Sequence, residues 1–180
     1  MFRSKFLLAF SVTLLLGTSA YANADHSLPD PTLTPGAAAD DVAQDNIQDT
    51  ICVPGFTKPP RRPPASYTTK MKKDELADPR YGYTDTDTKS YEEDHLIPLT
   101  LGGDPRSQDN LWPQAWDAGD WGARVKDKLE VKLNKLVCAG IVPLEEAQDA
   151  ISTNWIDAYK KYMPMKVPKQ NEVDDPDDDQ

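Results

Sequence analysis

The sequence predicts a single α+β domain over residues 50–165, and three observations carry that expectation. Two stretches beyond residue 120 repeat apolar side chains at helical spacing. The stretch 91–114 sets an acidic cluster and a histidine ahead of a short apolar run, broken by Pro98 and ended by Gly102-Gly103. Two cysteines, Cys52 and Cys138, flank that stretch on either side. No internal repeat is visible, and a chain of this size is expected to build one core.

Taken in order, residues 1–22 read as a signal peptide. Arg3 and Lys5 give a positive start, Phe6 to Leu16 an apolar core, and Ala20-Tyr21-Ala22 a small-residue cleavage site. The apolar run is short of the roughly 20 residues that a membrane-spanning helix needs. The expectation is therefore export, to the periplasm or the medium, with no membrane attachment after cleavage. In an oxidising compartment Cys52 and Cys138 are most simply a disulfide, two buried free thiols being the alternative.

Residues 23–49 hold six acids, no Lys or Arg, and prolines at 29, 31 and 35, which reads as an acidic flexible leader. Its end is compatible with one short helix, because Ala43, Ile47 and Ile51 recur every four residues. The tail, residues 166–180, is expected to be disordered and solvated, with six acids and no base from Asn171 onward. These flanks account for the charge. The formal net charge is −10, yet residues 50–170 carry 18 Lys+Arg and 18 Asp+Glu. A domain that is formally neutral is not excluded from nucleic acid by the acidity of its flanks.

Charge is uneven inside the domain. Residues 58–73 contain Lys58, Arg61, Arg62, Lys70, Lys72 and Lys73 and no acid. Prolines at 59, 60, 63 and 64 predict an extended, poorly helical path there. Such an arm suits a phosphate backbone, with Tyr67 placed to stack on a base; a merely soluble surface loop is the other reading. The helices come next. From Asp120 to Val137, Trp121, Val125, Leu129, Leu133 and Leu136/Val137 keep to one face, and Gly140 terminates. A second helix starts at Pro143 and runs to about Tyr162, with Leu144, Ala147, Ile151, Trp155 and Tyr159 as its buried stripe and Pro164 as its stop.

The chemistry concentrates in YEEDHLIPLTLGGDPRSQDNLWPQ, residues 91–114. A neutral imidazole, with an ordinary pKa of about 6.5, accepts a water proton near neutral pH. Carboxylate and amide oxygens are hard ligands that suit Mg²⁺, Mn²⁺ or Ca²⁺. Adjacent side chains of a regular strand point to opposite faces, so periodicity alone pairs Glu93, not Asp94, with His95.

The order Asp94-His95, a loop, then Asn110-Leu111-Trp112-Pro113 resembles the HNH nucleases of the His-Me finger (ββα-metal) superfamily. Arg62-Pro63-Pro64, Ser66-Tyr67-Thr68 and the string KDKLE (residues 126–130) resemble its exported bacterial members. The resemblance spans about Thr34 to Tyr162, although only Asp94-His95 to Asn110 is diagnostic. It implies a small ββα-metal core, an antiparallel hairpin against helices, with additional helices around it. It further implies a metal-dependent endonuclease of low sequence specificity, acting on DNA or RNA as a monomer. Carried over by motif, Asp94 is the metal ligand in preference to Glu93, and His95 is the general base. Asn110 is a second ligand or an orienter of the His95 region. The following helix, which in the superfamily often supplies a His, offers Asp127 and Glu130. Arg62 is the preferred phosphate contact, with Lys70 beside it. Mg²⁺ or Mn²⁺ is favoured over Zn²⁺, because the helix His and CxxC scaffolding are absent. The alternative is a non-catalytic nucleic-acid or cell-envelope binding module on the same fold.

Overall fold

A computed structural model describes residues 26–167. The signal peptide and all of the acidic tail beyond Val167 lie outside the described residues. The described chain is α+β: a two-stranded antiparallel sheet, three α-helices, short 3-10 turns and one disulfide.

Strand β1, Tyr91–His95, pairs with strand β2, Leu111–Ala115, in a register that sets Glu92 opposite Gln114, Asp94 opposite Trp112 and His95 opposite Leu111. The alternating pleat divides β1. Glu92 and Asp94 face one side; Tyr91, Glu93 and His95 face the other. Helix α1, Ala65–Ala77, covers the second side, where Leu76, Tyr91, Ala115 and Ala118 form a small apolar cluster. Helix α2, Ala123–Cys138, serves the first side and also supplies the larger core with Leu129, Leu133, Leu136 and Val137. Helix α3, Leu144–Tyr162, closes that core with Ala147, Ile151, Trp155 and Tyr162. Among the described residues no helix is long and apolar enough to cross a membrane.

Both predicted helices are present, close to their expected ends. Gly140 takes φ +69, and the amide of Ile141 donates to Leu136 O at 2.9 Å, which closes α2 as the glycine implied. Pro143 caps α3. The stripe of α3 carries a break that periodicity does not reveal: Asn154 is extended (φ −164, ψ 95), and its Oδ1 accepts from the amides of Ile156 and Asp157, capping a fresh turn.

Two expectations are corrected. The basic arm is not one extended run: residues 58–62 form turns, with the amide of Lys58 donating to Gly55 O and that of Arg61 to Lys58 O, and residues 65–77 are helix α1. The prolines keep the turns from becoming a helix, and Pro64, itself extended, is the cap of α1. From Ala65 the next proline is Pro79, and residues such as Ala, Lys, Met, Glu and Leu then favour a helix. The flexible leader is likewise shorter than its composition implied. Val42, Ile47 and Ile51 are buried in the main core, and a 3-10 helix covers Gln44–Asp49. Ala38 bridges Gly103, the amide of Gly36 donates to Asp109 O, and Trp155 Nε1 donates to Ser27 O at 2.6 Å. Few apolar residues suffice because they fall in the groove between α2 and α3. Val42, not Ala43, is the one that turns inward.

The predicted disulfide is present. Cys52 and Cys138 are bonded, with Cα atoms 5.6 Å apart, so the end of α2 is tied to the segment that precedes the basic arm.

Candidate functional site

His95 ends β1 and is 7% exposed. Its Nε2 stands 3.2 Å from the carbonyl oxygen of Pro105. A carbonyl only accepts, so this contact is a hydrogen bond when Nε2 carries the proton. That tautomer leaves Nδ1 with the free lone pair. Burial holds the imidazole below its ordinary pKa against the pull of Asp94 and the Pro105 carbonyl; Lys126 and Arg62 push in the same direction as burial. The ring is neutral at pH 7, a proton acceptor with its acceptor atom fixed.

The loop carrying Pro105 is held by Asn110, which is fully buried. Its Oδ1 accepts from the amides of Ile97 (2.9 Å) and Ala37 (3.3 Å). Its Nδ2 donates to Ile97 O (2.9 Å) and Asp104 O (3.1 Å). The carboxamide is saturated, with two bonds accepted and two donated. Of the two roles implied for Asn110, this geometry fits the orienter and leaves no lone pair for a metal. Gly103 belongs to the same clamp: a Cβ there would stand 1.8 Å from Ile97 O.

Across the sheet, Asp94 and Glu130 do come together, but around a residue that the sequence reading passed over. The Nζ of Lys126 is 2.7 Å from Asp94 Oδ2, 2.7 Å from Glu130 Oε1 and 2.8 Å from His95 O, and the side chain is 0% exposed. Glu92 and Asp127 lie close enough to act on this cluster electrostatically. Burial pushes Glu92 up to about 8 and Glu130 to about 7, while Lys126 opposes both shifts. Asp127 is also raised, by burial first and Asp94 next. Four carboxylates thus face one ammonium.

Does a hard cation fit here? In donor chemistry it does. Glu92, Asp94, Asp127 and Glu130 exceed the charge of Lys126. Gln114, fully buried opposite Glu92, has neither amide atom bonded to the protein, and Glu92 Oε1 is similarly unpartnered. Lys126 itself fills the space between Asp94 and Glu130. Among the described residues no three His, Cys, Asp or Glu side chains already converge on one metal position.

The other face of β1 holds a second acid pair. Glu75, 2% exposed on α1, approaches Glu93, and no oxygen of either is bonded to a donor meeting full hydrogen-bond geometry. Burial, before all else, raises Glu75 to about 7 and Glu93 to about 10. Glu93 thus lies on the His95 side of β1, as strand periodicity pairs them, and Asp94 lies on the other side with Lys126.

The basic residues divide. Arg62 is exposed and within electrostatic reach of His95. Lys70 is exposed on α1 and pairs with Asp74 at 2.5 Å, with no bond to the site. Tyr67 donates its hydroxyl to Arg106 O at 2.6 Å, which ties α1 to the Pro105 loop.

Lys126, Glu75 and Gln114 are the site-region residues to which sequence reasoning gave no role. Lys126 had a legible signal: it stands three residues before Leu129 and seven before Leu133, on the buried stripe. The chain matches no protein-family model, no curated protein and no solved structure.

Proposed function

We propose that this chain is a metal-dependent phosphodiester hydrolase, an endonuclease of low sequence specificity acting on DNA or RNA. The observation that carries the reading is the placing of His95: a buried imidazole whose Nε2 stands 3.2 Å from Pro105 O, an arrangement that in the neutral Nε2–H tautomer leaves Nδ1 to accept. Nδ1 takes the proton of the attacking water, and the Pro105 carbonyl stabilises the imidazolium that forms. Asn110 keeps that carbonyl in place by clamping residues 97–104. Asp94, with Glu92, Asp127 and Glu130 around it, would hold a divalent ion, Mg²⁺ or Mn²⁺ before Zn²⁺. Such an ion, when bound, supplies Lewis-acid stabilisation of the phosphate and of the leaving oxygen. Arg62 draws the phosphodiester toward His95. Export to an oxidising compartment fits the Cys52–Cys138 bond.

A second reading, a binding module that turns nothing over, is favoured by one observation. The ammonium of Lys126 already sits between two of the proposed ligands. Plasmid DNA and a structured RNA incubated with the protein in a metal series separate the two. The hydrolase reading expects EDTA-sensitive cleavage that His95→Ala abolishes without loss of helical signal. An inactive unmutated protein that still binds DNA, and binds equally well as His95→Ala, sinks the hydrolase and keeps the module.

A further inference from the structure

Beside His95 lies an open cavity of about 470 Å³, and Pro105, whose carbonyl holds His95, forms part of its wall. Lys58, Arg61 and Arg106 line it, with Asp41 as the one carboxylate. Arg61 is the best fixed of these cations. Its guanidinium lies over the Phe56 ring at 4.3 Å, and Nη1 donates to Asp41 Oδ2 at 2.8 Å. The remaining donors, Nε and Nη2, are buried and make no hydrogen bond with the protein. These two atoms form one edge of the planar fork, the edge that meets two oxygens of a phosphate at once. Unmet donors of a charged group are costly to enclose, and an anionic acceptor offsets that cost.

We infer that this cavity is a phosphate subsite for a nucleic-acid strand, flanking the bond presented to His95, with Arg61 as its anchor and Lys58 and Arg106 as its rim. The inference rests on the nuclease reading for its choice of ligand, and it replaces Lys70 as the partner of Arg62. Arg61 reaches the oxygens by a turn of its side chain that brings the Nε–Nη2 edge into the cavity. Three cations against one carboxylate leave the subsite positive in a chain that is acidic overall. Because Pro105 and Arg106 belong to the loop clamped by Asn110 and Tyr67, a phosphate held here is held at a fixed distance from the imidazole.

The test uses His95→Ala protein, a fluorescently labelled single-stranded oligonucleotide, EDTA and a salt series, read by anisotropy. Lys58→Ala/Arg106→Ala removes two exposed side chains. It is expected to lower the slope of log K against log salt by about 1.4, at roughly 0.7 per phosphate contact of a single strand. Arg61→Gln should weaken binding by about tenfold, the scale of a lost charged contact. Lys135→Ala, on the exposed last turn of α2, serves as the control and should leave the slope unchanged. In the otherwise unmutated enzyme, Lys58→Ala/Arg106→Ala should raise KM several-fold with kcat little altered. Circular dichroism checks folding, and the rim pair keeps the test valid should Arg61→Gln unfold. Undiminished affinity and slope in a folded rim variant overturn the subsite. Inorganic phosphate that binds at the cavity without displacing the oligonucleotide also overturns it, pointing to a free-phosphate site. Oligonucleotide binding with the expected slope loss, in a protein that cleaves nothing, keeps the subsite and fails the hydrolase reading.

Discussion

Replacing Lys126 by Met tests the arrangement on which the site rests. The side chain is fully enclosed and makes three hydrogen bonds, two to carboxylates at 2.7 Å and one to His95 O at 2.8 Å. Each charge-assisted bond is worth about 1.5–3 kcal/mol. Removing the ammonium recovers its own desolvation cost but leaves Asp94 and Glu130 enclosed without a counter-charge, and such breakage costs about 3–5 kcal/mol. For a domain of this size that is a fall in melting temperature of roughly 10–15 °C. The loss depends on pH. Glu130 is already raised to about 7 by burial, with Lys126 pulling it down, so without Lys126 its folded pKa climbs further. A carboxyl raised in the folded state binds its proton more tightly there than in the unfolded chain. The deficit is therefore small near pH 4.5 and grows as pH rises through the folded pKa. Urea unfolding at pH 5 and pH 8, on Lys126→Met, Glu130→Gln and the double variant, gives the coupling directly. A loss below about 1 kcal/mol at pH 8, or a pH-independent loss, would refute the claim that this ammonium neutralises the cluster.

Three further outcomes are expected. Glu75→Gln should stabilise the protein at pH 8 by on the order of 1–3 kcal/mol and do little at pH 4, because Glu75 is raised to about 7 and its ionisation in the fold opposes stability as pH rises; chemical denaturation at the two pH values measures it, and equal effects at both would contradict the assignment. Gly103→Ala places a Cβ 1.8 Å from Ile97 O and 2.9 Å from Asn110 Nδ2, so the backbone must move and the Asn110 clamp with it; a loss of more than about 3 kcal/mol is expected in thermal melts. Replacing Cys52 and Cys138 by Ser opens a loop spanning a separation of 86 residues and should cost about 4–5 kcal/mol on the chain-entropy account. Reduction should also lower cleavage at temperatures where circular dichroism is unchanged, since the bond ties α2 to the segment before the basic arm, and added Mg²⁺ should restore part of it.

The parts legible in the sequence were those written in side-chain periodicity and covalent chemistry. Leu129, Leu133 and Leu136 announce α2; Ile151 and Trp155 announce α3; the cysteine pair announces the staple. The resemblance grouped Asp94 with Asp127 and Glu130 around one ion; in the structure Asp94 and Glu130 share the ammonium of Lys126. What went unread followed physical lines. Lys126 drew no reading of its own because lysines are so rarely fully enclosed, and two of its three partners, Asp94 and His95 O, come from another element. For Asn110 the choice between ligand and orienter stayed open, because its partners are backbone amides and carbonyls of residues 37, 97 and 104, groups that no letter of the sequence denotes. Helix α1 was masked by prolines that stop one residue short of it. The leader was masked by averaging, since three well-placed apolar residues outweigh six acids when a groove is waiting for them.

The packing of that leader constrains the order in which the molecule can be completed. Ser27 meets Trp155 across a separation of 128 residues, and Gln44 Oε1 accepts from the amide of Leu144 at 2.7 Å across 100. The segment that leaves the ribosome early thus finds its last partners only when α3 has been made. Until then its contacts with Gly103, Asp109 and α2 stand without those of α3, and non-local contacts of this kind bear the full entropy of closing a long loop. Moving residues 26–51 to the far end of the chain by circular permutation would let α3 capture them at once, and should speed closure while leaving the finished contacts the same.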